Sequence, residues 1–448
     1  MNRLLVLGAL VPVLMTSTAL AADVLQAGPV VEDAPSFTLT GTAGVVGFWL
    51  PEYDGGLFDA PDSDPLVGAM LGLSGNATIG SHDDWDVLLG FNVFGALAGG
   101  SSSSTETFSG LGTVYISGLS TPGGSSAIDL DTSVADSASA DVTSPGGATN
   151  TVPIVGGPAT INSSATFASG AEGFLIGGAT VDDPGEMAFG AIGDESGGIF
   201  VATGDLTGLT VTTETSRSIF YTGADLTLGL GNGNYAGTAV SVYAGPSYRG
   251  FYQNAVTDIT INPEEATGGA GVTLPNFSIS TDENLNTHYL GGVLGGAASF
   301  GVGQGMILTL GVEGGVYGVR ANWNGTDTYS TAGGNFVDAV GGVSVSQPDF
   351  SVTADEQSID DISNDTIAFA ARGNAALTWA ISENQAFSLG GNIEYLSQVA
   401  TVTHDRVSTP AYDSTASWSA GDTPTGAPTF SWGSMVNFGI TASLTGAF

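Results

Sequence analysis

The sequence predicts an all-β chain: one closed antiparallel transmembrane β-barrel of about ten strands with long outer loops. Three observations carry this. Long segments alternate apolar with small polar residues at period two, the pattern of strands with one face in an apolar medium. Charged residues are only 11% and hydrophobic residues 42%, with 69 glycines, which disfavours helices and water-facing strand surfaces. Tight turns alternate with long acidic connections, as in a sheet that repeatedly crosses a bilayer.

In chain order, Met1-Asn2-Arg3, the apolar run Leu4–Leu14 and Ala19-Leu20-Ala21 read as a secretory signal peptide, residues 1–21, cut after Ala21. Residues 22–35 follow as an N-terminal segment, and 36–448 form the barrel. Strands are expected at 36–50, 67–79 and 85–97, then from 217, 235, 284, 305, 366, 385 and 429. The final segment is the clearest: Phe430, Trp432, Val436, Phe438, Ile440 and Leu444 share one face, opposite Gly433, Asn437, Gly439, Thr441 and Ser443. Turns at 80–84, 231–234, 302–305 and 382–385 are short; connections at 51–66, 253–283, 323–365 and 404–429 are long. Residues 98–216 form one Ser/Gly/Thr-rich outer insertion. If its segments 113–119 and 199–209 add a membrane hairpin, the barrel has twelve strands. In lipid such a sheet must close, because an open edge leaves backbone groups without partners.

The formal charge of −38 argues against nucleic acid or anionic lipid as a partner, because both need basic patches. With no cysteine, disulfide frameworks and thiolate metal sites are excluded.

The chain's last alternating apolar residues, Ile440, Leu444 and Phe448, resemble the C-terminal signature of bacterial outer-membrane β-barrel proteins. The resemblance covers most of the mature chain. It implies a place in the outer membrane, a periplasmic position for residues 22–35, and contact with outer-membrane lipid, lipopolysaccharide and the barrel assembly machinery, for which Phe448, Leu444 and Ile440 are the assembly signal. The absence of lysine departs from many members.

Candidate site residues follow from parity. Asp225, Arg249, Glu313, Arg372 and Glu394 fall in the inward register, because a charge facing mid-bilayer lipid is costly. Glu313, Arg372 and Glu394 lie at similar heights on successive strands, so a Glu–Arg–Glu cluster is expected across the lumen, either a solute-selecting constriction or a structural ion-pair network. Arg320 has outward parity but sits near the rim. Trp49, Trp85, Trp379, Trp432, Tyr235 and Tyr395 are expected in aromatic girdles at the lipid–water interfaces. A ten-stranded omptin-like protease needs acidic residues and a His at the outer rim. His404-Asp405 is the one pair near it, His82 falls at the opposite end, and the chain is read as a non-enzyme. No cofactor is expected. Acidic clusters Asp355, Glu356, Asp360, Asp361, Asp365 and Asp182, Asp183, Asp194, Glu195 offer oxygen ligands suited to loop-bound Ca²⁺ or Mg²⁺. The preferred functional expectation is a porin-like passive channel for small cationic solutes, its acidic vestibule concentrating cations. The alternative is a non-conducting surface adhesin or envelope structural barrel acting through its outer loops.

Overall fold

A computed structural model describes residues 37–54, 65–82, 85–134, 137–144, 149–155, 187–235, 238–263, 276–303, 305–331, 334–337, 344–347, 350–362, 367–422 and 424–448. The expected signal peptide and the whole of the following segment, residues 22–35, lie outside the described residues. Among those described, no helix is long and apolar enough to cross a membrane; strands are a separate matter.

Ten long strands form a ring. They are β1 (Phe37–Trp49), β2 (Leu66–His82), β3 (Trp85–Thr107), β4 (Thr210–Tyr235), β5 (Thr238–Asn262), β6 (Phe277–Gly303), β7 (Met306–Thr331), β8 (Ile367–Ser382), β9 (Gln385–His404) and β10 (Pro428–Ala447). Each pairs antiparallel with its neighbours, β1 pairs with β10, and the circuit has no open edge. Phe37, Phe448 and the four tight turns share one end, where Phe448 N–H donates to Phe37 O at 2.9 Å. The long connections occupy the other end.

Period two explains the wall. Leu226, Leu228 and Leu230 on β4, Leu290 and Leu294 on β6, Val312 and Val316 on β7, and Ile440 on β10 are all exposed on the outside. Their ladder neighbours, such as Asp225, Ser247, Thr309 and Asn437, are buried inside. From Phe220 to Leu230, and at the matching outward positions of the other nine strands, there is no Asp, Glu, Lys or Arg. At about 3.3 Å per residue and a tilt of ~40°, that belt is roughly 25–30 Å tall.

Several strands run further than their apolar patterning indicates. β3 reaches Thr107, β4 starts at Thr210 and β6 at Phe277, so the insertion is shorter than 98–216 at both ends. Above the belt the parity inverts: the outer face turns to Thr, Ser, Asn and Asp, while apolar residues such as Ile259, Ile261, Phe277 and Ile279 take the inner face. The candidate extra hairpin forms strands, at Leu111–Ser117 and Gly197–Asp205, but not in the ring. They join Ala188–Asp194 and Val407–Ser408 in a small four-stranded sheet, and a second such sheet combines Ala127–Val134, Ser137–Thr143, Thr149–Val155 and Thr415–Ser419.

These sheets stack on the ring's upper extension. One face of the first sheet, with Val114, Phe189 and Phe200, packs on Val211, Ile259, Ile261, Phe277 and Ile279 of β4, β5 and β6. Its other face, with Ile192, Ile199 and Val201, packs on Ile128, Leu130, Val142 and Trp418 of the second sheet. The segment Ala188–Asp194 is therefore buried throughout, which accounts for its unbroken apolar and glycine run. Leu119, at the exit of this sheet, drops between Leu285, Trp323 and Ala400 at the top of the lumen.

Candidate functional site

The five predicted lumen charges converge on one cluster. Strand register alone places three of them side by side: Glu313 opposes Arg372 on β8, and Arg372 opposes Glu394 on β9. Arg372 lies 3.7 Å from Glu313 and 3.5 Å from Glu394. Arg249, from β5, meets them from across the interior. Its guanidinium is 2.5 Å from Asp225, 3.5 Å from Glu313 and 3.7 Å from Glu394. Its planar head also lies over the rings of Phe94 and Tyr317, at 5.2 and 5.9 Å, a stacking that an ammonium would not reproduce. Gly223 makes room for it: a Cβ there would come within 2.9 Å of Arg249 Cδ.

Neutral side chains satisfy the remaining carboxylate oxygens. Tyr221 Oη donates to Glu394 at 2.9 Å and Asn437 Nδ2 donates to it at 3.0 Å. Ser247 and Asn92 donate to Asp225 at 2.6 and 3.1 Å, and Tyr243 donates to Glu313 at 3.1 Å. Three carboxylates thus face two guanidinium groups in a hydrogen-bonded mesh. Small spaces flank it, one against Asn92, Asp225, Tyr243 and Glu313, another against Phe48, Met70, Phe94 and Asn437.

The mesh crosses the ring. β4 and β9 stand five strands apart in a circuit of ten, so the Tyr221–Glu394 hydrogen bond joins diametrically opposed walls. Two further levels are bridged above it. Gln253 of β5 donates to Ala400 O of β9 at 2.9 Å. His404 of β9 contacts Glu283 of β6 at 2.8 Å.

That upper level is where the connections anchor. The β1–β2 connection folds inward: Arg217 and Thr401 donate to Pro51 O and Glu52 O, and Tyr53 Oη donates to Glu283. Burial, and then the Glu283 carboxylate, push the Tyr53 hydroxyl well above its ordinary pKa, so it stays a donor. Trp323 Nε1 donates to the same Glu283 at 2.9 Å. Asp327 accepts from Leu119 N–H, from Thr281 Oγ1 at 2.5 Å and from Tyr329 Oη at 2.9 Å, tying the insertion to β6 and β7. Arg406, fully buried, donates to Thr281 at 2.7 Å.

His404 has both ring nitrogens engaged, Nδ1 against Gly426 O at 3.0 Å and Nε2 against Glu283, and its side chain is buried. It is closed off from any substrate at the rim. The predicted girdle residues separate. Trp49 and Tyr395 face outward near the upper edge of the belt and Trp85 near the lower, while Trp379 stacks on Phe387 at the lower edge. Trp432 departs from the expectation. With Phe430 it packs against the cluster of Leu119, Leu285 and Trp323. The Tyr235 side chain, Asp182, Asp183 and Asp365 lie outside the described residues. Asp194 caps its own turn by accepting from Ser196 and Gly197 N–H, and Asp361 pairs with Arg320 at 3.2 Å. Among the described residues no group of three or more acidic or His side chains is placed to hold a metal ion.

Sequence reasoning missed Tyr221, Glu283, Asp327 and Arg406. Tyr221 shares the inward parity of Asp225 on an identified strand, a usable signal. Glu283, Asp327 and Arg406 lie in strand extensions or connections above the belt, where the apolar residues no longer face outward.

The fold and interior define a closed ten-stranded ring with a charge network through its centre. No family model and no curated protein matches the chain. Among solved structures it is similar to the outer membrane protease OmpT from Escherichia coli, at 14% identity over 75% of this chain and 97% of that one, TM-score 0.26. It is also similar to the toluene transporter TodX of Pseudomonas putida, at 9% over 96% of each chain, TM-score 0.23. A FadL homologue of Pseudomonas aeruginosa follows, at 7% over 93% and 91%, TM-score 0.20.

Proposed function

We propose that this chain is an outer-membrane β-barrel with a sealed lumen, a non-conducting wall that carries a folded Ser/Thr-rich assembly at the cell surface. Membrane placement is supported by the uncharged apolar belt around a ring without edges, since only closed sheets satisfy every backbone group in hydrocarbon. The sealed lumen is supported above all by the hydrogen bond between Tyr221 and Glu394 on opposed strands. A ten-strand interior leaves little space once side chains enter, and here they meet in the middle. The bridge at Glu283 and the docked insertion close the outer end in series.

The polar outer face of the second small sheet, with exposed Asp129, Thr415, Ser417 and Ser419, is then the surface offered to the exterior. The engaged state of His404 favours a non-enzymatic role. Reconstitution into planar bilayers tests the reading: purified protein inserts but gives no unitary current steps. Cation-selective steps from the unaltered protein would overturn it in favour of the channel, whose supporting feature is the acidic lining of the space beside Asp225 and Glu313.

A further inference from the structure

We propose that the tight-turn half of the lumen ends in a site for one monovalent metal cation, sodium in the first instance, held by Asn92, Asn76 and Thr227 beside the carboxylates of Asp225 and Glu313. This deepens the sealed-lumen reading and rests on it: an ion entering from the tight-turn end stops at the mesh. Charge balance gives the first reason. Asp225, Glu313 and Glu394 share only Arg249 and Arg372, so the mesh is one positive charge short. The chain has no lysine, and among the described residues no arginine stands between the mesh and the tight turns. An uncompensated buried carboxylate is costly, and a cation from solution supplies what the chain lacks.

Orphaned oxygens mark the place. Asn92 is only 4% exposed. Its Nδ2 donates to Asp225 at 3.1 Å, which fixes the amide and turns Oδ1 away from that carboxylate, and this Oδ1 has no donor. The Oδ1 of Asn76 is also buried without a donor. Asn76 opposes Gly90, and Gly90 opposes Thr227, across β2, β3 and β4. A Cβ on Gly90 would meet Thr227 Oγ1 at 2.6 Å and Asn76 Oδ1 at 2.7 Å, so both oxygens converge over the glycine, on the same face of β3 as Asn92. Asn92, Asp225, Thr227 and Glu313 line one space. Amide, hydroxyl and carboxylate oxygens together form the ligand set of a hard cation, and a deficit of one charge selects a monovalent one. Toward the turns the interior carries hydroxyl pairs, Ser299 with Thr309, Thr378 with Ser388 and Thr40 with Thr445, a neutral polar route to the site.

The test is urea unfolding of full-length protein in detergent micelles, in about 0.1 M sodium chloride or the same concentration of choline chloride, so that general screening of the acidic surface cancels. A site with a dissociation constant of about 10 mM raises the folded-to-unfolded ratio about tenfold in sodium. E313Q, which makes the mesh neutral, and G90A, which puts a methyl group where the two oxygens converge, should each lose the sodium response. Equal midpoints of wild type in the two salts overturn the inference. So does a sodium response that survives in both variants, which would assign it to the outer loops, or a response to about 1 mM magnesium with none to sodium. Unitary current steps from wild type in planar bilayers would instead sink the sealed-lumen reading.

Discussion

Replacing Arg249 with methionine should cost about 3–5 kcal/mol of stability, the range for breaking a buried ion pair by removing one partner. The side chain is fully buried, so water cannot substitute for it. Removal takes away two contacts to Asp225, at 2.5 and 3.2 Å, and the longer ones to Glu313 and Glu394. Three carboxylates then face Arg372 alone. Asp225 keeps only the neutral donors Ser247 and Asn92, which cannot offset its charge. Methionine fills much of the stem volume, so lost packing is a minor part of the effect. The assay is urea unfolding and refolding in lipid vesicles, followed by tryptophan fluorescence, with the midpoint separated from the slope. Adding D225N to R249M removes the carboxylate that lost its closest cation and should recover part of the loss. If R249M matched wild type, the five charges would not form a tight mesh, and the claim that they seal the lumen would fail with them.

Other consequences can be checked separately. V312R puts a cation on the lipid face at a position 70% exposed outside the ring, and should cost about 2–4 kcal/mol in vesicle refolding experiments; in water-facing surroundings it would be nearly silent. D327N weakens the acceptor shared by Leu119 N–H, Thr281 and Tyr329, so protease should cut the insertion sooner while the ring stays intact on gels; unchanged cleavage would rule out Asp327 as the anchor. The raised pKa of Tyr53 means its folding contribution is fully present below the unfolded value near 10 and fades as pH rises through the higher folded one. Difference spectra against Y53F should accordingly show no Tyr53 phenolate at pH 10 until the protein is unfolded.

Much of the ring was legible in the sequence. Leu226, Leu228 and Leu230 against Asp225 and Thr227 fix both the strand and its facing, because a pleated chain sends alternate side chains to opposite media. The same parity put Asp225, Arg249, Glu313, Arg372 and Glu394 inside, and counting from the tight turns brought Glu313, Arg372 and Glu394 level, as the ladder has them. The alternation is local, and so it is written in the order of residues. What it leaves undetermined is anything set by distance across the interior. That Tyr221 reaches Glu394 depends on ring diameter and stagger, which no single strand encodes. The two stacked sheets depend on Val407–Ser408 pairing with Leu111–Ser117 and Thr415–Ser419 with Ala127–Val134, far apart in the chain, and Trp432 packs against a cluster that Leu119 of the insertion helps to build. Tertiary structure alone decided that Asp225 and Arg249 join Glu313, Arg372 and Glu394 across the interior.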